Sequence, residues 1–408
     1  MGGETTMITK SLTAKIKIVF LNKEDKSRLE ITSKKYKDGC NFVSRFIFDN
    51  NFLMHQVKLN NAVYHDLRKN FNLKSQMAQS VIRTVIARYR TTRQQLQSKP
   101  FKYKDLDGKW KQTRRTLEWM HKPIYFKRNQ LDLVANRDWS YSRDNGTLSL
   151  NTTSGRIKVK PIVVGFEQYF DGSWKYGTAK VLKIKNDWFL HLAVTKEMPA
   201  FNNDVVKHVV GIDRGLRVLA ATYDECGNAN FFDGKKVMAR RNNYKRLRAE
   251  LQAKGTKSAK RKLKNISGRE NRWMTDVNHS ITKTLVERYG HNTLFVVEDL
   301  TDIRFNSNEL GKSLRSAVNS WAFGQFEQFL SYKASCNQSE VIRVSPRYTS
   351  QRCPKCGVID KTNRNHKLHE YHCKDCLYRS NDDRVAAMNI QELGKRYLLG
   401  ENKPKFKK

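Results

Sequence analysis

The stretch HVVGIDRGLRVLAATYDECGNANFF, residues 208–232, decides the fold of the C-terminal half. It reads as two or three consecutive strands. A strongly basic segment follows: between Lys235 and Arg272 there are 15 Lys/Arg and only two acids, Glu250 and Glu270. Leu247 and Leu251, at helical spacing, make that segment a helix and not a disordered arm. Next come a strand at 293–298, a helix around 314–335 and a strand at 340–345. Strands alternating with helices give an α/β domain.

Upstream the pattern differs. Residues 11–22 alternate Ile16, Ile18 and Phe20 with polar positions, as a strand does, and residues 40–57 and 72–97 fit helices. In the second of these, Met77, Ala78, Val81, Ile82, Val85, Ile86 and Tyr89 recur at three- and four-residue spacing. Arg83 and Arg88 lie on or beside it and are expected near phosphates. From about 120 to 200 the chain turns to β, with hairpins at Asp144-Asn145-Gly146 and around Lys185-Asn186-Asp187. These short strands suggest a small barrel or sandwich that the strand at 11–22 could complete, leaving a helical insertion in a β domain.

The composition names the partner class. The chain has 408 residues, room for two or three domains at about 150 residues each. Its 78 Lys/Arg against 39 Asp/Glu leave a net charge of +39. Such a charge repels itself unless a polyanion neutralises it, and nucleic acid does so with release of condensed counterions. Hydrophobic residues at 38% and aromatic residues at 11% are too many for a disordered chain. No apolar run approaches the ~20 residues of a membrane span, and the N-terminal MGGETTMITK has no secretion-signal character. A cytoplasmic protein without a membrane partner is expected. Arg240, Arg241, Lys245 and Arg248 of the basic stretch are further candidate phosphate contacts.

Two constellations carry chemistry. Cys353, Cys356, Cys373 and Cys376 read C-x2-C-x16-C-x2-C, two thiolate knuckles that a hairpin can join into a tetrahedral, structural metal site. Soft thiolates suit zinc or iron and not magnesium. His366, His369 and His372 lie in the intervening loop and could replace a ligand, though four Cys make that unnecessary. Cys40, Cys226 and Cys336 are scattered and read as small buried hydrophobes. The second constellation is acidic. Asp213 ends VVGID, Glu298 ends LFVVE, and Asp383 opens the helical DDRVAAMNIQELG. Three carboxylates from three elements can converge at one sheet edge and hold two divalent ions, Mg²⁺ by its oxygen preference, for phosphodiester hydrolysis. Asp382 and Asp299 are neighbouring alternatives. Trp321, Phe323, Phe326 and Phe329 are helically spaced and read as core before base-stacking residues.

Taken together, GIDRG (211–215), VVEDL (296–300), SPRYTSQRCPKCG (345–357), YHCKDC (371–376) and DDRVAAMNI (382–390) closely resemble the RuvC-like nuclease half of transposon-encoded TnpB proteins, which miniature type V CRISPR effectors share. The likeness is specific from about 207 to 397; the N-terminal half is similar only in outline. It implies a multidomain α+β protein. The expected organisation is a β-barrel wedge domain (1–37 and 110–205), a helical recognition insertion (38–109), an RNase H-like RuvC nuclease domain (206–345 and 378–397), an inserted zinc knuckle (346–377) and a basic tail (398–408). By the same resemblance Asp213, Glu298 and Asp383 are the catalytic Mg²⁺ ligands, and the four Cys hold one Zn²⁺. Guide RNA and double-stranded target DNA are the implied partners, with the monomer or dimer question open. The implied activity is RNA-guided DNA cleavage beside a short flanking motif, from an insertion sequence or, alternatively, as a CRISPR effector. A guided repressor without cleavage is the lesser alternative. Val385 departs from the family pattern, which has Asn there.

Overall fold

The computed structural model describes residues 6–300, 323–365 and 368–407. The chain forms two compact units: Thr9–Glu197, and the segment from Met198 onward together with the N-terminal residues.

In the first unit, β1 (Met7–Phe20), β4 (Gln130–Leu133), β5 (Trp139–Ser142), β6 (Thr147–Thr152), β7 (Gly155–Ile162), β8 (Lys175–Ile184) and β9 (Asp187–Pro199) form one sheet in the order β4-β8-β9-β1-β7-β6-β5. The two edge strands meet at an Ala135–Trp139 bridge, so the sheet nearly closes into a barrel. Alternate residues fill it: Ala14, Ile16 and Ile18 of β1, Leu148 and Leu150 of β6, and Leu190, Leu192 and Val194 of β9 are buried. The loop after β5 is four residues long, because Ser142 pairs with Thr147 and Gly146, at φ +57°, closes the turn. The β8–β9 turn is the expected tight one, with Lys185 at φ +57°.

Three helices, α1 (Lys23–Asp49), α2 (Gln56–Phe71) and α3 (Ser75–Gln97), follow β1. α1 begins well before residue 40. Asn22 caps it, accepting from the Asp25 amide at 2.7 Å. Gly39 reads as a breaker in the sequence but lies inside α1, where an added Cβ would come within 3.1 Å of Leu67. It is a notch that lets α2 pack. α2 itself escapes the periodicity reading because only Leu59, Val63 and Leu67, a one-residue-wide stripe, are buried. A small hairpin, β2 (Phe101–Lys104) with β3 (Trp110–Thr113), ends the insertion.

In the second unit, β10 (His208–Asp213), β11 (Val218–Tyr223), β12 (Ala229–Asp233), β13 (Thr293–Glu298) and β14 (Glu340–Val344) give a mixed sheet ordered β12-β11-β10-β13-β14. β10, β13 and β14 run parallel; β11 and β12 run antiparallel. Helices α4 (Lys235–Lys254), α5 (Lys257–Ile266), α6 (Arg269–Tyr289), α7 (Phe323–Cys336) and α8 (Asp382–Leu398) complete the described unit. Successive β10 and β13 residues point to opposite faces. Val210, Ile212, Phe295 and Val297 pack with α6 and α7; Val209, Leu294 and Val296 pack with Ile390 and Leu393 of α8. Phe323 and Phe326 are core, as expected, and Phe329 stacks on His279 at 3.7 Å. Trp321 and residues 314–322 of the expected helix lie outside the described residues.

α8 lies unusually close to the sheet. A Cβ on Gly211 would sit 2.1 Å from the Ala387 carbonyl oxygen and 2.5 Å from the Gln391 nitrogen. The Gln391 side chain donates to the Val209 carbonyl at 2.9 Å. Gly211 is therefore demanded by a helix backbone pressed onto a strand, and this contact sets where the first residues of α8 fall. The terminal segment is not a free tail. Phe406 is buried with Ile390 and Leu393, under the guanidinium groups of Arg352 and Arg396.

Candidate functional site

Asp213 and Glu298 close adjacent parallel strands. Ile212 pairs with Val297, so the next residue on each strand is one of the two acids. Strand neighbours lie about 4.8 Å apart. Asp383 enters from above this edge, in the first turn of α8, whose N-cap Asn381 accepts from the Arg384 amide at 3.0 Å. Asp213 is pushed well above the usual carboxylate range by burial, then by Glu298 and Asp383. Burial also raises Glu298, against the Thr349 hydrogen bond and the Arg214 charge. Asp383 is raised by burial and by Asp382. Burial thus disfavours the ionised form of each of the three acids, and at Asp213 the other two add to it.

The surroundings separate Asp383 from Asp382. Asp382 is fully buried and committed: it accepts from Arg364 Nε at 2.9 Å and lies 3.3 Å from His369 Nδ1. The same two groups approach Asp383 only to 3.8 and 3.9 Å, leaving its carboxylate the more available. Asp299 is exposed beyond the strand end.

Supporting residues lie in the motifs themselves but carry no sequence-level signal of their role. Arg214, beside Asp213, is buried and donates to the Glu298 carbonyl at 2.5 Å and to Glu327 at 3.3 Å, tying the two strand ends to α7. Thr349 donates to Glu298 Oε1 at 2.5 Å. Buried Asn389 donates to the Thr349 and Arg352 carbonyls at 2.7 and 2.8 Å, fixing that turn from α8.

The cysteine module precedes α8. Its small sheet, β15 (Arg364–Asn365), β16 (Glu370–His372) and β17 (Arg379–Asn381), runs directly into the helix. Each Cys pair sits on a knuckle turned by a left-handed residue, Gly357 at φ +80° and Leu377 at φ +55°. Cys353 and Cys376 sulfurs are 3.5 Å apart, Cys356 and Cys373 3.6 Å, and all four lie within 4.8 Å of one another. Zn–S bonds of about 2.3 Å in a tetrahedron require sulfurs about 3.8 Å apart, so the donor set fits zinc. His369 faces the acids and His372 lies on β16, so neither replaces a sulfur ligand; His366 lies outside the described residues. Val385 packs against Cys353, Cys373 and Tyr371, which accounts for an apolar residue there.

The basic candidates divide. Arg241 and Arg248 both pair with Glu270, linking α4 to α6, and Arg241 is buried. That is a structural use of their charge, while Arg248 stays partly exposed. Arg240 lies 4.5 Å over the Trp273 ring, and it and Lys245 are exposed. Arg83 and Arg88 line a cavity of about 960 Å³ between α3 and the barrel, with Lys127, Arg128 and Lys180. Among the described residues no helix is long and apolar enough to cross a membrane.

The OrfB_IS605 family model, described as a probable transposase, matches residues 192–302, and the Cas12f1-like TNB domain model matches 323–390. A TnpB-like protein of Methanocaldococcus jannaschii is 29% identical over 57% of this chain and 85% of its own length. A CRISPR-associated endodeoxyribonuclease Cas12f1 of Sulfoacidibacillus thermotolerans is 28% identical over half of each chain. The chain thus spans about half the length of that second relative. In fold, the protein of a Cas12f1–sgRNA–target DNA complex superposes with a TM-score of 0.60 at 11% identity, over 94% of this chain and 99% of the other. By sequence this protein is similar to TnpB-like and Cas12f1 proteins, and it shares the multidomain α+β fold of the Cas12f1 complex, with a nearly closed barrel-like sheet and a four-cysteine cluster of its own.

Proposed function

We propose that this protein is an RNA-guided DNA endonuclease encoded by an insertion sequence. It binds a guide RNA and hydrolyses target DNA beside a short flanking motif. Its second unit is the RuvC-like nuclease. What supports this reading most is the placement of Asp213 and Glu298 at neighbouring strand ends, with Asp383 near enough to raise the Asp213 carboxyl, in a chain of net charge +39. Relatives whose names carry endodeoxyribonuclease activity point the same way.

In this reading Asp213, Glu298 and Asp383 are the ligands of Mg²⁺. Bound there, divalent ions supply an activated water and stabilisation of the departing oxygen. Thr349 holds Oε1 of Glu298. Arg214 fixes the backbone under Glu298. Asp382, occupied by Arg364 and His369, braces the start of α8 so that Asp383 keeps its place. Arg83, Arg88, Arg240 and Lys245 are the basic candidates left for phosphate contact.

Plasmid DNA carrying a sequence complementary to the co-purified RNA tests the reading. Cleavage in Mg²⁺ that stops on RNase treatment or chelation is expected. A guided repressor would bind that plasmid and leave it intact, and a transposase working without RNA would survive RNase.

A further inference from the structure

The hairpin of β2 and β3 is exposed along both strands. A lone two-stranded hairpin is marginal in water, so its regular construction calls for a reason. Its turn is carefully made. Asp105 accepts from the Lys109 amide at 2.8 Å and pairs with Lys111 Nζ at 2.9 Å, and Gly108, at φ +75°, donates to the Asp105 carbonyl at 3.0 Å. Lys111 and that amide hold Asp105 below its usual carboxylate value, so this acid is spent inside the turn. From Lys99 to Arg115 there are seven Lys/Arg and only two acids.

Aromatic rings stand on this cationic frame. Tyr103 is 40% and Trp110 71% exposed. Phe101 and Tyr103 share one face, their rings 16° from parallel and 6.1 Å apart. Arg115 lies over both Phe101 and Trp119, with its Nε buried and lacking a hydrogen-bond partner. On the other face Lys104 lies 5.6 Å over Trp110. Seven cations argue against an apolar protein partner. Aromatic faces between cations suit unpaired bases, each ring stacking on a base while ammonium groups meet phosphates. A duplex hides its base faces; the loops of a structured RNA present them.

We propose that the hairpin Phe101–Thr113 is a binding site for an unpaired stretch of RNA, with Tyr103 on one face and Trp110 on the other as stacking platforms and Lys102 and Lys104 on the phosphates. That this RNA is the guide rests on the function proposed above. The full chain, stripped of co-purified RNA, is titrated with a labelled oligouridylate, a matched RNA duplex, an oligothymidylate and phosphatidylserine vesicles. Tyr103→Ala with Trp110→Ala should weaken oligouridylate binding about tenfold or more, at about 1–3 kcal/mol per stacked base. Duplex binding should be unchanged. Lys102→Gln with Lys104→Gln should flatten the salt dependence. All four side chains are exposed, and circular dichroism checks that the variants fold. Unchanged oligouridylate binding, an equal loss for the duplex, tighter hairpin-dependent binding of oligothymidylate, or a loss confined to vesicles would each overturn the proposal. Wild-type chain that binds no RNA would instead overturn the function proposed above.

Discussion

Asp213→Asn will abolish DNA cleavage and leave guide and target binding intact. The expected loss is about a thousandfold or more: charge stabilisation by bound metal is worth several kcal/mol, and each ~1.4 kcal/mol is tenfold in rate. The same substitution should make the metal-free protein more stable at neutral pH. Burial and the nearby Glu298 and Asp383 raise the Asp213 carboxyl. A raised carboxyl favours its protonated form in the folded state, so its ionisation destabilises the fold as pH rises through the raised value. Asn removes that cost. The melting advantage of the variant should close as pH falls toward about 4, where the acid is protonated folded or unfolded. Lost cutting with higher metal-free stability separates a functional carboxylate from a structural one. Cleavage at the wild-type rate would remove Asp213 from the site.

Cys373→Ser, or stripping of metal by a strong chelator, will unfold the knuckle and disarm the nuclease with all three acids still present. Among the described residues the buried cluster of the module is Cys353, Tyr371 and Cys373, packed against Val385 of α8. That is too little apolar surface to hold a fold, whereas a structural zinc contributes about 10–16 kcal/mol in small cysteine-rich modules. Arg364 and His369, which grip Asp382 ahead of Asp383, belong to this module. Losing the metal should free them and loosen the start of α8. The wild type should release one zinc per chain to a chromogenic chelator. Proteolysis should then cut within 346–377 first, while the barrel unit keeps its protection and RNA binding persists. A stripped protein that cuts DNA at full rate would show the two sites to be independent.

What the sequence reveals follows from how each contact is made. β10, β13 and the start of α8 announce themselves because each is apolar and ends or begins on an acid. The cysteine spacing needs no fold to be understood. The bracing residues are different. Thr349 and Asn389 lie 40 residues apart, and their roles exist only once α8 is pressed against the sheet over Gly211. Arg241 and Arg248 look like surface cations until Glu270, on another helix, is brought to them. Gly39 looks like a break because its packing against Leu67 is non-local. Local pattern thus reveals the elements and the ligands, and tertiary contact decides which neighbours are spent on support.

The proposed cleavage depends on divalent ions held between Asp213, Glu298 and Asp383. Diffraction from crystals soaked in Mn²⁺, recorded at the manganese edge, measures this directly. Anomalous density in contact with those three carboxylates, and absent in the Asp213→Asn variant, is the predicted result. Manganese bound instead by Asp382 and His369, or nowhere at this sheet edge, would contradict it.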